Sequence, residues 1–262
     1  MRTLLTRSAL ALAVVSLTTA CFIEEVAMAS RETIEETRRF DPGGTFRLEN
    51  VNGTVTIDTW DEENVRITAD KAANSERALE AIEIDIDGEG DWIEVKTHLP
   101  RGRLFFGSGG KVDYRITLPT RAQVQVETVN GKLDVSGVEG QVRASTVNGS
   151  VEVGKVSGEI ETSTVNGSIK ATYQDVDPDG RHRFSTTNGS VTLYLPKHAS
   201  GDFEARTVNG SIKTDFPLEV TGKFGHRRLR GQLGEGHGTF DISTVNGSVR
   251  ILEVDETEGK SP

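Results

Sequence analysis

The sequence has little of several residue types, and each scarcity excludes a class of protein. Among 262 residues there is one cysteine, and 6% are aromatic. A lone cysteine excludes an internal disulfide framework, and so few aromatic side chains argue against an ordinary compact core. The formal net charge of −10 argues against a nucleic-acid binder and against broad adhesion to anionic lipids. Valine, isoleucine, threonine, serine and glycine dominate instead, which is typical of β structure with many turns.

The N-terminus has the pattern of an export signal. Arg2 and Arg7 give a positively charged start, and the apolar run "SALALAVVSLTTA" at 8–20 that follows is too short to span a bilayer. Cys21 follows directly, and "LTTAC" resembles a bacterial lipobox, in which the cysteine is acylated and becomes the new N-terminus. The sequence therefore predicts a lipoprotein signal peptide over 1–20, lipid attachment at Cys21 and a tether over 21–32.

Two further features bear on export. "AMA" ending at Ala29 is an alternative cleavage site, which would give soluble export and leave Cys21 without a role. Phe22 follows the cysteine in place of the aspartate that retains lipoproteins at the inner membrane of enteric bacteria. By resemblance to that rule, the outer membrane is favoured, with the periplasmic or surface face left open.

The strongest pattern is an Asn-Gly motif that occurs seven times, in most copies within the sequence Thr-Val-Asn-Gly-Ser. Glycine suits a tight corner because it adopts positive φ freely, and asparagine tolerates the same region. We therefore predict stacked corners with positive φ at glycine and an internal ladder of asparagine amides along the axis. The predicted turn ladder comprises Asn52, Gly53, Asn130, Gly131, Asn148, Gly149, Asn166, Gly167, Asn188, Gly189, Asn209, Gly210, Asn246 and Gly247.

The spacing of the motif predicts a solenoid. Asn130, Asn148 and Asn166 are 18 residues apart, and "VEGQVRAS" and "VSGEIETS" between them repeat at the same interval. Each coil therefore contains two short strands and two turns, with alternate residues facing inward. The predicted fold is all-β: a single-domain, β-helix-like solenoid with about 18-residue, two-strand coils, Asn-Gly corners and an irregular N-terminal cap.

The solenoid domain is predicted over 33–254, followed by a polar tail over 255–262. Later copies of the motif are more widely spaced, and insertions in a solenoid are expected to form loops. In the cap, "SERALEAI" predicts one short helix with Ser75 as its N-cap. "AIEIDIDGEGDWIEVKT" predicts a hairpin that turns at 87–90.

Two stretches carry a family resemblance. "VNGTVTIDTWDEENVRITADKAA" and "YRITLPTRAQVQVETVNGKLDVSGVEGQVRASTVNGSVEV" resemble the bacterial "putative adhesin" family of β-strand-repeat domains of unknown function. The resemblance covers roughly 33–254. It implies an exported or envelope-attached solenoid, and it implies no catalytic residues.

Motifs for catalysis and cofactors are absent from the sequence. It contains no H-E-x-x-H, G-x-S-x-G or P-loop pattern, and its five histidines fall in predicted loops at irregular spacing. We therefore expect no enzyme activity, no cofactor and no zinc site. A weak calcium candidate is the "DVDPDG" loop, in which Asp175, Asp177 and Asp179 occupy alternate positions; an acidic turn explains the same residues.

Two predicted loops combine basic and aromatic residues against the acidic background. They could bind an anionic glycan or lipid head group, or they could cap the solenoid with the aromatics buried and the arginines solvated. The candidate ligand-binding residues are Arg101, Arg103, Phe105, Phe106, Arg227, Arg228 and Arg230.

The sequence therefore predicts a non-enzymatic structural or interaction module of the cell envelope, held by an N-terminal lipid and possessing an adhesin-like character. Two alternatives are a periplasmic envelope-stress or signalling accessory and a glycan-binding or glycan-cleaving β-helix. The expected partners are the membrane and an envelope protein or glycan, without nucleic acid. The irregular cap and the polar tail favour a monomer over end-to-end assembly.

Overall fold

The computed structural model describes residues 30–99, 110–223 and 226–254, and it is an all-β solenoid. The cap and first coil contain β1 (Ser30–Glu49), β2 (Val55–Trp60), β3 (Asn64–Ala73), α1 (Glu76–Glu80), β4 (Glu83–His98) and β5 (Lys111–Pro119). The regular coils contain β6 (Gln123–Glu127), β7 (Leu133–Ser136), β8 (Val142–Asn148), β9 (Val151–Val156), β10 (Ile160–Asn166), β11 (Ile169–Tyr173), β12 (Arg181–Asn188) and β13 (Val191–Leu195). The C-terminal part contains β14 (Gly201–Asn209), β15 (Ile212–Thr214), β16 (Glu219–Lys223), β17 (His226–Leu233), β18 (Thr239–Asn246) and β19 (Val249–Glu253).

Two sheets face each other across one core, and each coil contributes one strand to each sheet. In the first sheet, the parallel strands follow the order β5, β2, β7, β9, β11, β13, β19 and β15. In the second, the parallel order is β4, β1, β6, β8, β10, β12, β18 and β14. The predicted two-strand coil is confirmed, and the Asn-Gly corner joins the second sheet to the first.

Side-chain alternation in the regular coils follows the sequence pattern. Val142, Ala144 and Thr146 are buried on β8, whereas Arg143 between them is exposed. The same alternation recurs on the neighbouring strand, where Ile160 is fully buried. Because parallel strands pair in constant register, equivalent residues of successive coils lie directly beside each other. The core is therefore a stack of layers, aliphatic at β8 and β10 and aromatic where Phe184, Phe203 and Phe240 are buried.

The last coil in the chain is not the last coil in the stack. Strand β18 pairs with β12 on one side and with β14 on the other, and β19 lies between β13 and β15 in the same way. The coil at 239–253 therefore inserts between two coils that precede it in sequence. The chain forms the coil of β12 and β13, then the coil of β14 and β15 two positions further along the stack. Strands β18 and β19 later occupy the position between them.

The wide insertion after β15 is not a loop. It forms the antiparallel hairpin β16–β17, and β17 pairs antiparallel with β14. This covers the edge of β14 that would otherwise end the second sheet with unpaired backbone groups. The prediction that Arg227, Arg228 and Arg230 lie in a loop is therefore wrong, because they are on the strand that closes this end of the sheet.

The cap interrupts the parallel pattern. The first half of β1 pairs antiparallel with β3, which pairs antiparallel with β5. Residues 30–32, which were predicted to be the end of the tether, therefore belong to a sheet. Strand β4 folds back on itself, since His98 Nε2 lies 3.0 Å from Asp85 Oδ2 although 13 residues separate them. Gly88 and Gly90 have positive φ at the bend, as a tight turn requires. Helix α1 begins after Ser75, whose hydroxyl accepts from the Ala78 backbone N–H, as predicted.

Candidate functional site

The repeated corners form a continuous amide ladder on the surface of the solenoid. Each asparagine Nδ2 donates to the Oδ1 of the asparagine in the adjacent coil at 2.8 Å, and Asn52 at the cap end donates to the Gly110 carbonyl at 3.0 Å. Six of the seven asparagines are exposed, so the ladder is external and the expectation of an internal one is wrong. From the cap outward, the order is Asn52, Asn130, Asn148, Asn166, Asn188, Asn246 and Asn209.

The corner glycines are required by close packing between coils. Only Gly53 among them has positive φ, so the predicted positive φ at the other corners is wrong. A Cβ atom at Gly167 would lie 1.8 Å from the carbonyl oxygen of Gly149 in the adjacent coil, and Gly149 and Gly189 have the same conflict at 1.9 Å. A side chain of any size would therefore separate the coils.

Threonine and serine complete the polar part of the corner. The hydroxyl of buried Thr164 donates to the Gly149 carbonyl of the adjacent coil at 2.9 Å, and Thr186 donates to Gly167 in the same way. After the glycine, Ser190 Oγ accepts from the backbone N–H of Ser248 at 3.2 Å. Four of the five motif positions therefore make contacts that hold one coil against the next.

Valine is the exception, because it points into solvent. Val129, Val147, Val165 and Val245 are each 41–42% exposed. We call the row of residues that precede the ladder asparagines the valine spine. In stacking order it comprises Val51, Val129, Val147, Val165, Thr187, Val245 and Val208.

The predicted arginine site lies at the end of the second sheet, away from the cap. Glu204 on β14 accepts hydrogen bonds from Arg206 on its own strand and from Arg228 on β17. These two guanidinium groups lower the pKa of the Glu204 carboxyl. Arg230 is the cross-strand neighbour of Glu204, and Arg227 faces Thr207. The structure thus brings the three predicted arginines onto one strand and places a carboxylate among them.

In the predicted calcium loop at 175–180, the aspartate carboxylates do not converge on one point. Asp175 Oδ1 accepts from the backbone of Val176 at 2.8 Å, and Asp177 Oδ1 accepts from the backbone of Asp179 at 3.1 Å. Within the described residues, no three acidic, cysteine or histidine side chains are grouped so that they could hold a metal ion. The geometry is that of an Asx turn, which satisfies the backbone without a cation.

One of the five histidines lies on a strand and is buried, so the prediction that all five fall in loops is wrong for His182. His182 lies on β12, is 1% exposed, and stacks on Phe240 with ring centroids 4.4 Å apart. Its Nδ1 lies 2.8 Å from the Tyr173 hydroxyl, and its Nε2 has no hydrogen-bond partner among the described residues. Burial lowers the pKa of His182 to about 4. The alternation of "RHRF", which places His182 and Phe184 on the same inward face, was the available signal.

Outward charges on both sheets are paired across coils. On the first sheet, Glu152 lies 3.0 Å from Lys132 and 3.2 Å from Lys170, and both pairs lower the pKa of Glu152. On the second sheet, Arg143 lies 3.2 Å from Glu161 and borders an open groove of about 540 Å³. The groove lining mixes both charge signs, which is typical of a solvated sheet face.

Several predicted positions lie outside the described residues. These are the lipid-attachment residue and the candidate ligand-binding residues of the first loop, namely Cys21, Arg101, Arg103, Phe105 and Phe106. In the part of the chain that is described, no helix has both the length and the apolar character needed to cross a membrane.

Comparison with solved structures finds distant similarity to several bacterial proteins. A "putative cell adhesion protein" from Clostridium sporogenes ATCC 15579 is 14% identical, with a TM-score of 0.49 over 85% of this chain and 100% of its own. A "putative adhesin" from Bacteroides fragilis NCTC 9343 is 12% identical, with a TM-score of 0.43 over 86% and 98%. A "putative lipid binding protein" from Parabacteroides distasonis ATCC 8503 is 9% identical, with a TM-score of 0.30 over 87% and 98%.

A family model identifies the chain more directly. No curated protein matches it. The model for Toastrack DUF4097 matches residues 113–252, which include β6 to β18, all but the last residue of β19, and six of the seven Asn-Gly corners. This match spans just over half of the chain, and it confirms the resemblance to a family of β-strand-repeat domains. The protein is a member of the Toastrack DUF4097 family.

Proposed function

We propose that this protein is a non-enzymatic structural and interaction module of the bacterial cell envelope, anchored by lipid on Cys21. The observation that carries the proposal is the use of the repeated motif. Asparagine, glycine, threonine and serine of the repeated corner hold one coil against the next, and several outward charges on the sheets pair across coils. The residues of the repeated motif therefore support a scaffold. Among the described residues, they form no set of groups arranged for catalysis.

The anchor is supported by the N-terminal sequence. Cys21 is the only cysteine, it follows an apolar run of signal-peptide length, and no disulfide partner accounts for it. Lipid-modified cysteines carry more than one acyl chain, and two or more chains give stable membrane attachment. Strand β1 begins at Ser30, so the segment from Cys21 to the cap reaches at most about 30 Å from the bilayer when fully extended. The cap would then be the membrane-proximal end of the solenoid.

The anchor is tested by fractionating cells that produce the wild-type chain or the Cys21→Ser variant, each with a C-terminal epitope tag. We expect the wild-type chain in the membrane fraction and the Cys21→Ser chain in soluble fractions. Ala29→Glu is the matched control, since it blocks the alternative cleavage site and should leave the wild-type distribution unchanged. Identical fractionation of wild type and Cys21→Ser would overturn the lipid anchor.

The side of the membrane is tested with the same tagged chain by protease treatment of intact cells. Removal of the tag supports an adhesin-like module that faces outward from the outer membrane. Protection of the tag until the outer membrane is opened overturns the adhesin-like form, and it supports a periplasmic scaffold. Solubilised membranes provide the control that the protease can remove the tag.

A further inference from the structure

We propose that Asn209-Gly210 is a modification site, at which the asparagine deamidates through a succinimide much faster than at the other six Asn-Gly corners. An Asn-Gly step is especially reactive in this way, because glycine has no side chain to shield its backbone nitrogen or restrict its rotation. The chain contains seven such steps, and the structure leaves one of them unprotected. The proposal is independent of the envelope location and of the lipid anchor.

The reaction needs an available backbone N–H group after the asparagine. The Gly210 nitrogen attacks Cγ of Asn209 and forms a C–N bond, the attacking nitrogen loses its proton, and the side-chain nitrogen leaves as ammonia. Water then opens the five-membered ring at either of its two carbonyl groups, which gives aspartate or isoaspartate. A glycine N–H held in a hydrogen bond, within a corner that cannot turn, is withheld from the first step until the corner opens locally.

In the six inner corners, this N–H group is held by the adjacent coil. Gly167 N donates to the backbone oxygen of Asn188, in the next coil away from the cap, at 3.1 Å. Attack at such a corner first requires this bond to break and two coils to separate. The glycines that make the equivalent bond are Gly53, Gly131, Gly149, Gly167, Gly189 and Gly247.

Gly210 has no coil beyond it. Asn209 is the last asparagine of the ladder, and the Gly210 N–H makes no hydrogen bond with any residue that the structure describes. Strand β17 covers β14 only as far as Thr207, which pairs with Arg227, so the cover stops before the corner. Gly210 is also exposed, whereas the other six corner glycines are half-buried.

The terminal corner is held on one face only. Asn209 Nδ2 donates to Asn246 Oδ1 at 2.8 Å, and the Asn209 backbone oxygen accepts from the glycine of that same coil at 3.1 Å. At an inner corner, a threonine of the next coil also binds the glycine carbonyl, as Thr186 does to Gly167 at 2.9 Å. No threonine among the described residues makes this bond to Gly210, so its nitrogen can turn toward Cγ of Asn209 without opening the stack.

The product changes the open end of the ladder. A carboxylate at position 209 has no hydrogen to donate to Asn246 Oδ1, so the last bond of the ladder is lost. Isoaspartate in addition inserts a methylene group into the main chain, which shifts the corner relative to the coil at 239–253. Modification therefore alters the terminal coil and leaves the inner corners intact.

Incubation of the purified, folded chain tests the site, because the sequence contains a matched internal control. Residues 164–170 and 207–213 both read Thr-Val-Asn-Gly-Ser-Ile-Lys, so Asn166 and Asn209 have the same intrinsic reactivity. Samples taken over time at neutral pH are digested with trypsin, and mass spectrometry quantifies deamidation in the two peptides. We expect Asn209 to react at least about tenfold faster than Asn166, since only the inner corner must open first.

The control is the same chain unfolded in guanidinium chloride. Both corners are then equally accessible, and the two rates should become equal. Asn209→Ser removes the reactive amide, so it should abolish the mass change in peptide 207–213 and leave the rate at Asn166 as it was. Equal rates at the two asparagines of the folded chain, or a faster reaction at Asn166, would overturn the proposal.

Amide hydrogen exchange tests the cause separately from the chemistry. The Gly210 N–H should exchange at least about tenfold faster than the Gly167 N–H, because the second is bonded to the adjacent coil and the first is not. Equal protection of the two N–H groups would overturn the explanation, even if Asn209 were the faster of the two to deamidate.

Discussion

Glycine occupies the corners because adjacent coils approach until their backbones touch. At Gly167, the nearest atoms to an added Cβ would be the carbonyl oxygen and carbon of Gly149, at 1.8 and 2.5 Å. Backbone atoms cannot move aside as the end of a flexible side chain can. The glycine is therefore fixed by its neighbour in space, and the constraint repeats along the stack.

Gly167→Ala is expected to lower the free energy of unfolding by about 3 kcal/mol, because it forces two coils apart. Gly154→Ala is the matched control. Its added Cβ would meet only Ser136 Oγ, at 3.8 Å, so the free energy should stay unchanged or rise by about 0.5 kcal/mol. Urea unfolding followed by circular dichroism measures both. Equal effects of the two substitutions would contradict the close-packing explanation.

A second single residue, His182, makes the stability of the fold depend on pH. The side chain is enclosed by Tyr173 and Phe240, and burial holds its pKa at about 4 instead of 6.5. The unfolded chain therefore binds the proton more readily than the folded chain does between these two values. Stability contributed by neutral His182 is complete above pH 6.5 and is lost as the pH falls toward 4.

We expect this loss to reach about 3 kcal/mol between pH 6.5 and 4. Tyr173→Phe should retain the pH dependence, since the histidine remains buried. The double variant Tyr173→Phe/His182→Phe should lose that part of it, since no imidazole remains to be protonated. Urea unfolding at a series of pH values gives the comparison. Parallel pH profiles for the single and double variants would show that His182 is not the titrating group.

At the scale of the element, the asparagines of the amide ladder are not equivalent, because they make different numbers of hydrogen bonds. Asn166 donates to Asn148 and accepts from Asn188, each at 2.8 Å, whereas Asn209 at the end of the stack only donates to Asn246. Water can replace part of each bond because the ladder is exposed, so the net contribution of each rung is small.

Asn166→Ala is expected to cost about 1 kcal/mol of unfolding free energy and Asn209→Ala about 0.5 kcal/mol, in proportion to the bonds removed. Both replaced side chains are exposed, so the two substitutions differ mainly in their position in the ladder. Chemical denaturation measures the pair side by side. A larger effect at Asn209 than at Asn166 would contradict the ladder.

The elements also show which features could be read from the sequence. The two-strand coil, its inward residues and the Ser75 cap were predictable, because they depend on local periodicity and local hydrogen bonds. The β16–β17 hairpin was not, because its pairing with β14 depends on a distant open edge. The reason for glycine at the corners was also missed, since it lies in the adjacent coil. Cys21 stays a prediction.

At the scale of the whole molecule, the order of the coils departs from the order of the chain. Successive copies of the corner are nearly identical, so each can stack on any other, and local sequence does not encode which pairs form. The coil at 239–253 completes the stack by joining β12 and β13 to β14 and β15. The C-terminal coil is therefore internal to the solenoid.

A chain truncated after Gly238 should lose the folded structure of β14 to β17 as well as the coil at 239–253. Without β18 and β19, strands β14 to β17 have no parallel neighbour, so residues 201–233 should become sensitive to protease while β6 to β11 stay protected. A chain that ends at Val254 is the control and should match the full chain. Limited proteolysis with mass spectrometry locates the cuts. Protection of 201–233 in the shorter chain would contradict the inserted coil.

The most direct test of the envelope module is the mass of its mature N-terminal peptide, isolated from cell membranes. We predict that the chain begins at Cys21 and that this peptide carries the added mass of acyl chains. Such a result would place the acidic solenoid at the end of a short lipid-anchored tether. A chain that begins at Ser30, with no added mass, would contradict the anchor and show that export ends in a soluble protein.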